Sequence, residues 1–322
     1  MWWNKPDAAK VGPRDPEPFP FMRLRWLGFL VTGLIFVATT VSLATQGLSM
    51  GLDFTGGVQV EATRATPFDA GVVRSEISKA GFSESNVTTT DGGNTVLIRV
   101  PLEGAQDMES ITRKVTDSLG QGVTIRKTDT VSAKVSDELF LSGVIASLMA
   151  VAAIGLYIWF RFESKFGWGA FITTFHDVYA VVGLFSMSQW TPWPMTFDLT
   201  IVAGVLTVAG YSINDTVVVF DRIREMLKKY KKLSLSKIID ISITSTLSRT
   251  LITSLATMLA AGSMLFLGGP VLHGFAASIV FGIIIGTYSS IFVAAPLLLY
   301  LPGRIPGSKL AGVDRDAVES AT

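Results

Sequence analysis

A few ionisable side chains interrupt long apolar stretches of the sequence, and these are the residues best placed to do chemistry. Asp215 follows Asn214 inside one such stretch, and Arg249 lies near the start of the next. His176 and Asp177 lie side by side inside an earlier stretch. Because ionisable groups are costly to hold in hydrocarbon, they usually pair with one another and serve a function. The pattern indicates a small charged cluster that could exchange protons.

Two interpretations of Asp215 and Arg249 fit the sequence. In a proton relay, Asp215 alternates between its protonated and ionised forms, and the Arg249 guanidinium stabilises the ionised form. In a static pair, the two charges only hold neighbouring helices together. A membrane potential acts on each transferred charge with roughly 2.3 kcal/mol per 100 mV, so proton movement could do work on helix packing. The sequence leaves both interpretations open.

His176 and Asp177 also allow more than one interpretation. An imidazole titrates near neutral pH and suits proton transfer, whereas a histidine near threonine and tyrosine residues is as often an interhelical hydrogen-bonding group. Asp177 follows His176 directly, so the two side chains point about 100° apart on a helix. We therefore expect only one of them to face the cluster, as a relay or as a supporting group.

Six apolar segments are long enough to position these residues within a bilayer, which requires about 20 apolar residues per helix. The predicted spans are 26–46, 138–160, 167–188, 198–220, 246–267 and 273–301. At a rise of about 1.5 Å per residue, Asp215 lies about 9 Å, Arg249 roughly 5–12 Å and His176 about 15 Å from the inner ends of their helices. These depths allow the side chains to meet.

Positively charged residues indicate which loops remain in the cytoplasm. Lysine and arginine occur between the second and third spans, between the fourth and fifth, and after the sixth. The two other short loops contain neither. This alternation predicts that both termini are cytoplasmic and that the long segment after the first span is exported. The segments are a cytoplasmic leader without regular structure (1–25), an exported domain (47–137), a basic cytoplasmic loop (221–245) and a cytoplasmic tail (302–322).

The exported segment has the alternating patterns of an α+β domain. Val58, Val60 and Ala62 alternate with polar residues, as in a strand. Thr66 and Pro67 predict a helix start, and two later apolar stripes predict two helices that pack on a sheet. The order β-α-β-β-α-β is that of a ferredoxin-like, split βαβ fold. The domain contains no histidine and no metal-spaced carboxylates, so we expect a binding or moving part.

The sixth span carries small residues at every fourth position. Small residues let helix backbones approach closely, so this stripe predicts a packing surface, within the chain or with a partner. Its members are Gly274, Ser278, Gly282, Gly286 and Ser290.

Composition excludes several classes of protein. The 322 residues are 49% hydrophobic but only 16% charged, below the quarter or so typical of soluble domains. The net charge of +1 gives no reason to expect a nucleic-acid partner. Cysteine is absent, which excludes thiol catalysis and cysteine-ligated metals, and no other metal site is indicated. The sequence has no nucleotide-binding loop, so we expect neither ATP hydrolysis nor any other enzymatic activity.

Four sequence motifs carry a resemblance to a known family. The chain resembles the SecF subunits of bacterial SecD/SecF protein-export complexes, which are similar to the resistance-nodulation-division transporter superfamily. The resemblance covers residues 23–302. The motifs are Gly51-Leu52-Asp53-Phe54-Thr55-Gly56-Gly57, Phe175-His176-Asp177-Val178, the run from Gly210 to Glu225, and Leu247-Ser248-Arg249-Thr250-Leu251.

This resemblance implies partners and a task. It implies a SecD subunit, the SecYEG channel with the SecA ATPase, an exported unfolded polypeptide, and residence among the lipids of the bacterial inner membrane. It implies that the proton-motive force helps to pull polypeptide out of the channel, with protons as the coupling ion and no bound cofactor. Asp215 and Arg249 match the proton-linked residues of that subunit. A second interpretation is a proton-coupled half-transporter for a small molecule or lipid.

Overall fold

The computed structural model describes residues 17–83, 85–101, 108–120, 122–191, 194–231 and 233–301. Within these ranges, six helices are long and apolar enough to cross a membrane, which confirms the predicted number of spans. These six segments are Phe21–Thr45, Ala133–Arg161, Ser164–Ser188, Leu199–Lys229, Leu235–Leu267 and Leu272–Tyr300. Predictions for the first 16 residues and for the tail over 302–322 lie outside the described residues.

The elements follow the predicted order along the chain. The helices are α1 (Arg25–Thr45), α2 (Leu52–Thr55), α3 (Ala70–Lys79), α4 (Met108–Ser118), α5 (Ala133–Arg161), α6 (Ser164–Ser188), α7 (Leu199–Lys229), α8 (Leu235–Leu267), α9 (Gly269–Ser289) and α10 (Ala295–Tyr300). A π-helical turn, Ser290–Ala294, joins α9 to α10. The strands are β1 (Gly57–Thr63), β2 (Asn86–Thr90), β3 (Thr95–Val100) and β4 (Thr124–Val131).

The chain divides into two compact units. The domain unit contains Thr45–Met149 and Phe185–Val202, and the bundle unit contains the described residues up to Ala44, Ala150–Leu184 and those from Ala203 onward. Most of each long helix belongs to the bundle unit, except α5, which the two units share.

The inserted domain, residues 57–131, is a four-stranded antiparallel sheet with the strand order β2-β3-β1-β4. Val60 of β1 pairs with Ile98 of β3 and with Thr128 of β4, so β1 is an interior strand. Helices α3 and α4 bury one apolar stripe each, and their side chains join alternate strand residues in one core. The β-α-β-β-α-β prediction is confirmed. The core includes Val58, Val60, Ala62, Val73, Ile77, Val96, Ile98, Ile111 and Val115.

The start of α3 differs from the prediction. Thr66 and Pro67 precede the helix, and Asp69 is its N-cap, accepting hydrogen bonds from the backbone of Gly71 and Val72 at 2.7 and 3.2 Å. An aspartate in extended conformation satisfies two of the free N–H groups of a first helical turn. The threonine–proline pair was therefore a weaker signal than the aspartate that follows it.

Small residues of α9 lie directly against α7 in the bundle unit. A Cβ atom added to Gly282 would overlap the Val208 side chain, and one added to Gly286 would lie 3.2 Å from the Ser212 Cβ. Residue numbers differ by 74 in each contacting pair, so the two helices run parallel in constant register. The pairs are Gly204 with Ser278, Val208 with Gly282, and Ser212 with Gly286. This part of the stripe packs within the chain.

The segment 221–245, predicted as a basic loop, is mostly helical. Helix α7 extends to Lys229, and α8 begins at Leu235 after an N-cap at Ser234. Apolar side chains on both extensions are buried in one core, among them Ile223, Met226, Leu227, Ile238 and Ile239. The hydropathy of the sequence shows where an apolar run ends, and the prediction ends the helix at that point. An amphipathic helix can continue beyond it when its apolar face packs against a partner.

The described end of the leader is also ordered. The backbone N–H of Met22 donates to Asp240 at 2.9 Å, and that of Phe19 donates to Thr244 at 3.1 Å. Phe21 and Met22 are buried in the same core as the helix extensions. The prediction of an unstructured leader is therefore wrong for residues 17–24, because these two apolar side chains and two backbone donors bind the leader to α8.

Candidate functional site

Asp215 lies in the middle of α7 and is 4% exposed. Its Oδ2 atom is buried and has no hydrogen-bond partner among the described residues. The Thr216 hydroxyl beside it is also buried without a partner in the described part of the chain. Arg249, on α8, acts on Asp215 through its charge. The two residues are thus near enough to interact through their charges, and Asp215 has an oxygen without a partner among the described residues. Their role as a relay stays a prediction.

Unlike the buried Asp215, Asn214 and Arg249 are exposed at the surface of the isolated chain. On α7, Thr207, Gly210 and Asn214 form an exposed row three to four residues apart. On α8, exposed Thr253 follows Arg249 by one turn. Two spanning helices therefore present polar side chains outward where an apolar surface is expected for lipid contact.

Asp177 is fully buried and joins three helices. Its Oδ2 atom accepts hydrogen bonds from the hydroxyl of Ser212 on α7 and, at 2.7 Å, from that of Ser289 on α9. Its Oδ1 atom lies 2.9 Å from Nδ1 of His176. Every oxygen of this carboxylate has a partner. Asp177 is thus held in place, in contrast to Asp215.

His176 is buried with Asp177, although adjacent helical residues were expected to diverge. It is 7% exposed, its Nδ1 atom contacts the Asp177 carboxylate, and its Nε2 atom has no partner among the described residues. Both residues are therefore buried, and which of them faces the cluster of Asp215 and Arg249 stays a prediction. The imidazole turns back toward its neighbour because a buried ring nitrogen needs a polar partner.

Sequence reasoning did not single out the hydroxyl residues that complete this region. Tyr211 on α7 donates to Ser254 on α8 at 3.1 Å, and Ser254 lies 2.7 Å from the hydroxyl of Thr287 on α9. Ser212 and Ser289 form the second connection, through Asp177. The available signal was the occurrence of hydroxyl residues inside apolar spans. Tyr211 and Ser212 lie within about one turn of Asp215, and Thr287 and Ser289 lie within one turn of the stripe serine Ser290. Among the described residues, no group of three or more acidic or histidine side chains is placed to hold a metal ion.

The motif Asp53-Phe54-Thr55-Gly56-Gly57 lies in the domain unit and ends at the first residue of β1. Residues 52–55 form α2, and the Thr55 hydroxyl contacts the carbonyl oxygens of Gly51 and Gly56 at 3.2 and 3.1 Å. The Asp53 carboxylate accepts a hydrogen bond from the backbone of Leu199 at 3.1 Å. The motif therefore contacts the first residue of α7, the helix that carries Asp215.

Comparisons with known proteins identify the family. Residues 111–304 match the family described as protein export membrane protein SecD/SecF, C-terminal, and residues 41–67 match the SecD/SecF GG motif. The protein translocase subunit SecF of Desulfurispirillum indicum is 41% identical, over 87% of this chain and 91% of its own. That of Pseudomonas aeruginosa is 38% identical, over 87% and 90% of the two chains.

Two solved structures have the same fold. The crystal structure of SecDF, a translocon-associated membrane protein from Thermus thermophilus, matches with a TM-score of 0.78 and 32% identity over 90% of this chain. SecDF in its super-membrane-facing form matches with a TM-score of 0.63 and 28% identity over 95% of this chain. This chain spans 39% and 40% of those SecDF chains. It is a multi-pass membrane protein that belongs to the SecD/SecF family of protein-export membrane proteins, as a relative of the SecF subunits.

Proposed function

We propose that this chain is the SecF-type subunit of a Sec protein translocase. With a SecD-type subunit, it uses the proton-motive force to assist late, ATP-independent steps of protein export across the cytoplasmic membrane. One observation carries the proposal: Asp215 is buried in a spanning helix, and its Oδ2 atom has no hydrogen-bond partner among the described residues. Because an ionised carboxylate in such a place is costly, gaining or losing a proton changes the energy of the helices around it.

Arg249 and Asp177 have different roles in this proposal. Arg249 supplies the positive charge that stabilises ionised Asp215. Asp177 and His176 support the site, since both Asp177 oxygens already have partners that fix the position of α7. Protons are the coupling ion, no cofactor is required, and the chain is not itself an enzyme.

A SecD-type partner accounts for the exposed polar side chains of α7 and α8. An arginine facing lipid within a span is costly, up to about 2.5–3.5 kcal/mol at the centre of the bilayer on insertion scales. Asn214 and Arg249 are exposed in the isolated chain, so a neighbouring spanning helix would remove this cost. The relative length of the SecDF chains, of which this chain matches 39–40%, supports a second set of spans.

The remaining parts of the proposal follow from family membership and charge. The translocase context supplies the SecYEG channel, the SecA ATPase and an unfolded polypeptide in transit. The distribution of lysine and arginine supports cytoplasmic termini and an exported inserted domain. The half-transporter interpretation is not favoured, because the matched relatives are named protein translocase subunits. The static Asp215/Arg249 pair is the competing account that an experiment must test.

Pulse-chase maturation of a secreted preprotein tests the proposal. Cells carrying Asp215→Asn should export slowly while the complex remains assembled, because asparagine cannot carry a proton. Glu225→Gln is the matched control on the same helix, since the Glu225 side chain is 62% exposed and pairs with Arg222 at the helix surface. Normal maturation in cells with fully assembled Asp215→Asn protein would overturn the proton relay.

A further inference from the structure

The GG motif contacts α7 as a helix cap supplied from a distant part of the sequence. The Asp53 carboxylate accepts the backbone N–H of Leu199, the first residue of α7, from 146 positions away. The first N–H groups of a helix have no partner inside the helix, so this acceptor satisfies one of them. Asp198 caps the same end locally, accepting from Ile201 at 3.0 Å. The α7 terminus therefore has two acidic caps.

Backbone pairing strengthens this contact on the N-terminal side of the motif. Gly51 donates to the Phe197 carbonyl at 2.8 Å, and Phe197 donates to the Ser49 carbonyl at 2.7 Å. A Cβ atom on Gly51 would lie 2.8 Å from the Asp198 Cβ. Glycine is required here because the two chains approach this closely.

Aromatic packing adds a second layer to the contact. The Phe54 ring stacks on that of Phe197, with centroids 6.4 Å apart. It also meets Phe140 of α5 edge-on at 5.8 Å. Phe197, two residues before α7, is thus held by both its backbone and its side chain.

The other end of the motif is fixed to the sheet. Gly56 and Gly57 have φ angles of 65° and 127°, which residues other than glycine rarely adopt. A Cβ atom on Gly57 would overlap the Val100 carbonyl of β3. Gly57 is the first residue of β1, an interior strand of the sheet. The glycine pair therefore permits close packing, and a free hinge is incompatible with these contacts.

Arg99 connects the sheet electrostatically to both caps. It lies in β3 and donates to Gln59 of β1 at 2.6 Å. Burial lowers the pKa of Arg99, and the negative charges of Asp198 and Asp53 oppose that shift. The positive charge of Arg99, on a middle strand of the sheet, thus attracts the negative charges of both caps.

We infer that residues 51–57, the connector, form a rigid link that transmits displacement of the inserted sheet to α7, with Asp53 as its positioning residue. The inference rests on the proposed function, because α7 carries the proton-linked Asp215. Helix α7 runs without interruption from Leu199 to Lys229, which places Asp215 about 24 Å along the helix from the connector. Protonation at one point and sheet movement at the other are then mechanically coupled.

The test compares three variants in membrane vesicles that contain the whole complex. Asp53→Ala removes the acceptor, Asp53→Asn retains an acceptor oxygen, and Asp198→Ala removes only the local cap. We expect Asp53→Ala to reduce gradient-driven export on the order of tenfold, the effect of losing a hydrogen bond to a charged group. Asp53→Asn should retain most of the gradient-driven export. Asp198→Ala should export faster than Asp53→Ala.

Proton uptake, followed with a pH-sensitive dye, separates this inference from the proposed function. Asp53→Ala should still take up protons, whereas Asp215→Asn should lose both uptake and export. Unchanged export in the Asp53→Ala protein would overturn the inference that the connector transmits displacement. A parallel loss of proton uptake and export in that variant would overturn it as well. An unaffected Asp215→Asn protein would instead overturn the proposed function.

A disulfide provides an independent test if Asp53→Ala fails to assemble. The chain has no cysteine, so Met50→Cys with Phe197→Cys creates a single pair at the parallel bridge between these residues. A rigid connector keeps this contact throughout the cycle, so the oxidised protein should export at the rate of the reduced protein. Loss of export on oxidation, reversed by a reductant, would show that the contact opens and would overturn the inference.

Discussion

The Ser289 hydroxyl donates a 2.7 Å hydrogen bond to the Asp177 carboxylate, which ties α9 to α6 immediately before the π-helical turn at Ser290–Ala294. Ser212 of α7 donates to the same oxygen. Such π-helical turns often occur at functional sites. The three helices meet one turn from Asp215, so the hydrogen bonds to Asp177 help to hold Asp215, the residue proposed to carry the proton, in position.

Removing the two serine donors should loosen the bundle. We expect Ser212→Ala and Ser289→Ala each to destabilise the protein by about 0.6–1.7 kcal/mol, from the average to the maximum found for interhelical hydrogen bonds in membranes. The double variant should lose more than the sum of the two, because either serine alone still donates to the oxygen, whereas removing both leaves a buried carboxylate oxygen without a donor. Thermal unfolding of the purified protein in detergent measures these changes. Strictly additive losses would show that the serines do not share Asp177.

The α7/α9 contact makes a prediction about glycine. Gly282→Ala should destabilise the protein by about 1–3 kcal/mol, the usual cost of overpacking, because the new Cβ overlaps Val208. Adding Val208→Ala should restore part of the loss.

Gly262 provides a matched control for this prediction. It lies within α8, and nothing is within 4 Å of a Cβ added there. Gly262→Ala should therefore be neutral or stabilising by up to about 1 kcal/mol, owing to helix propensity alone. Equal thermal shifts for Gly262→Ala and Gly282→Ala would contradict close packing at Gly282.

A photo-crosslinking amino acid at position 214 should identify the partner. Asn214 is exposed beside Asp215, so the proposed SecD-type subunit should be captured from intact membranes. Cells that lack this subunit are the control, and the crosslinked band should disappear in them. A crosslinked band that persists in those cells would contradict contact between position 214 and this subunit. Crosslinking to lipid alone in wild-type membranes would contradict it as well.

Much of this architecture was predictable because it depends on local periodicity. The spans follow from unbroken apolar runs, and the inserted domain follows from alternating strands such as β1 and stripes such as Val73 and Ile77. The family motifs indicated Asp215 and Arg249 directly. These signals are contained in short stretches of sequence.

The remaining features depend on contacts between distant residues. The partnership of Asp177 with Ser212 and Ser289 joins three helices, and no spacing within one helix encodes it. The same holds for the cap that Asp53 supplies to Leu199. The helical extension of α8 before residue 246 was missed because its buried face depends on a partner on α7. Such features require the tertiary structure.

Gradient-dependent export by vesicles tests the central claim most directly. Preprotein already committed to the channel would be followed after ATP is removed, with and without an imposed proton gradient, for wild-type and Asp215→Asn complexes present at equal levels. The proton-coupled account predicts that the gradient accelerates completion of export in the wild type and has no effect in the variant. Equal acceleration in both complexes would contradict it and would leave Asp215 and Arg249 as a static pair.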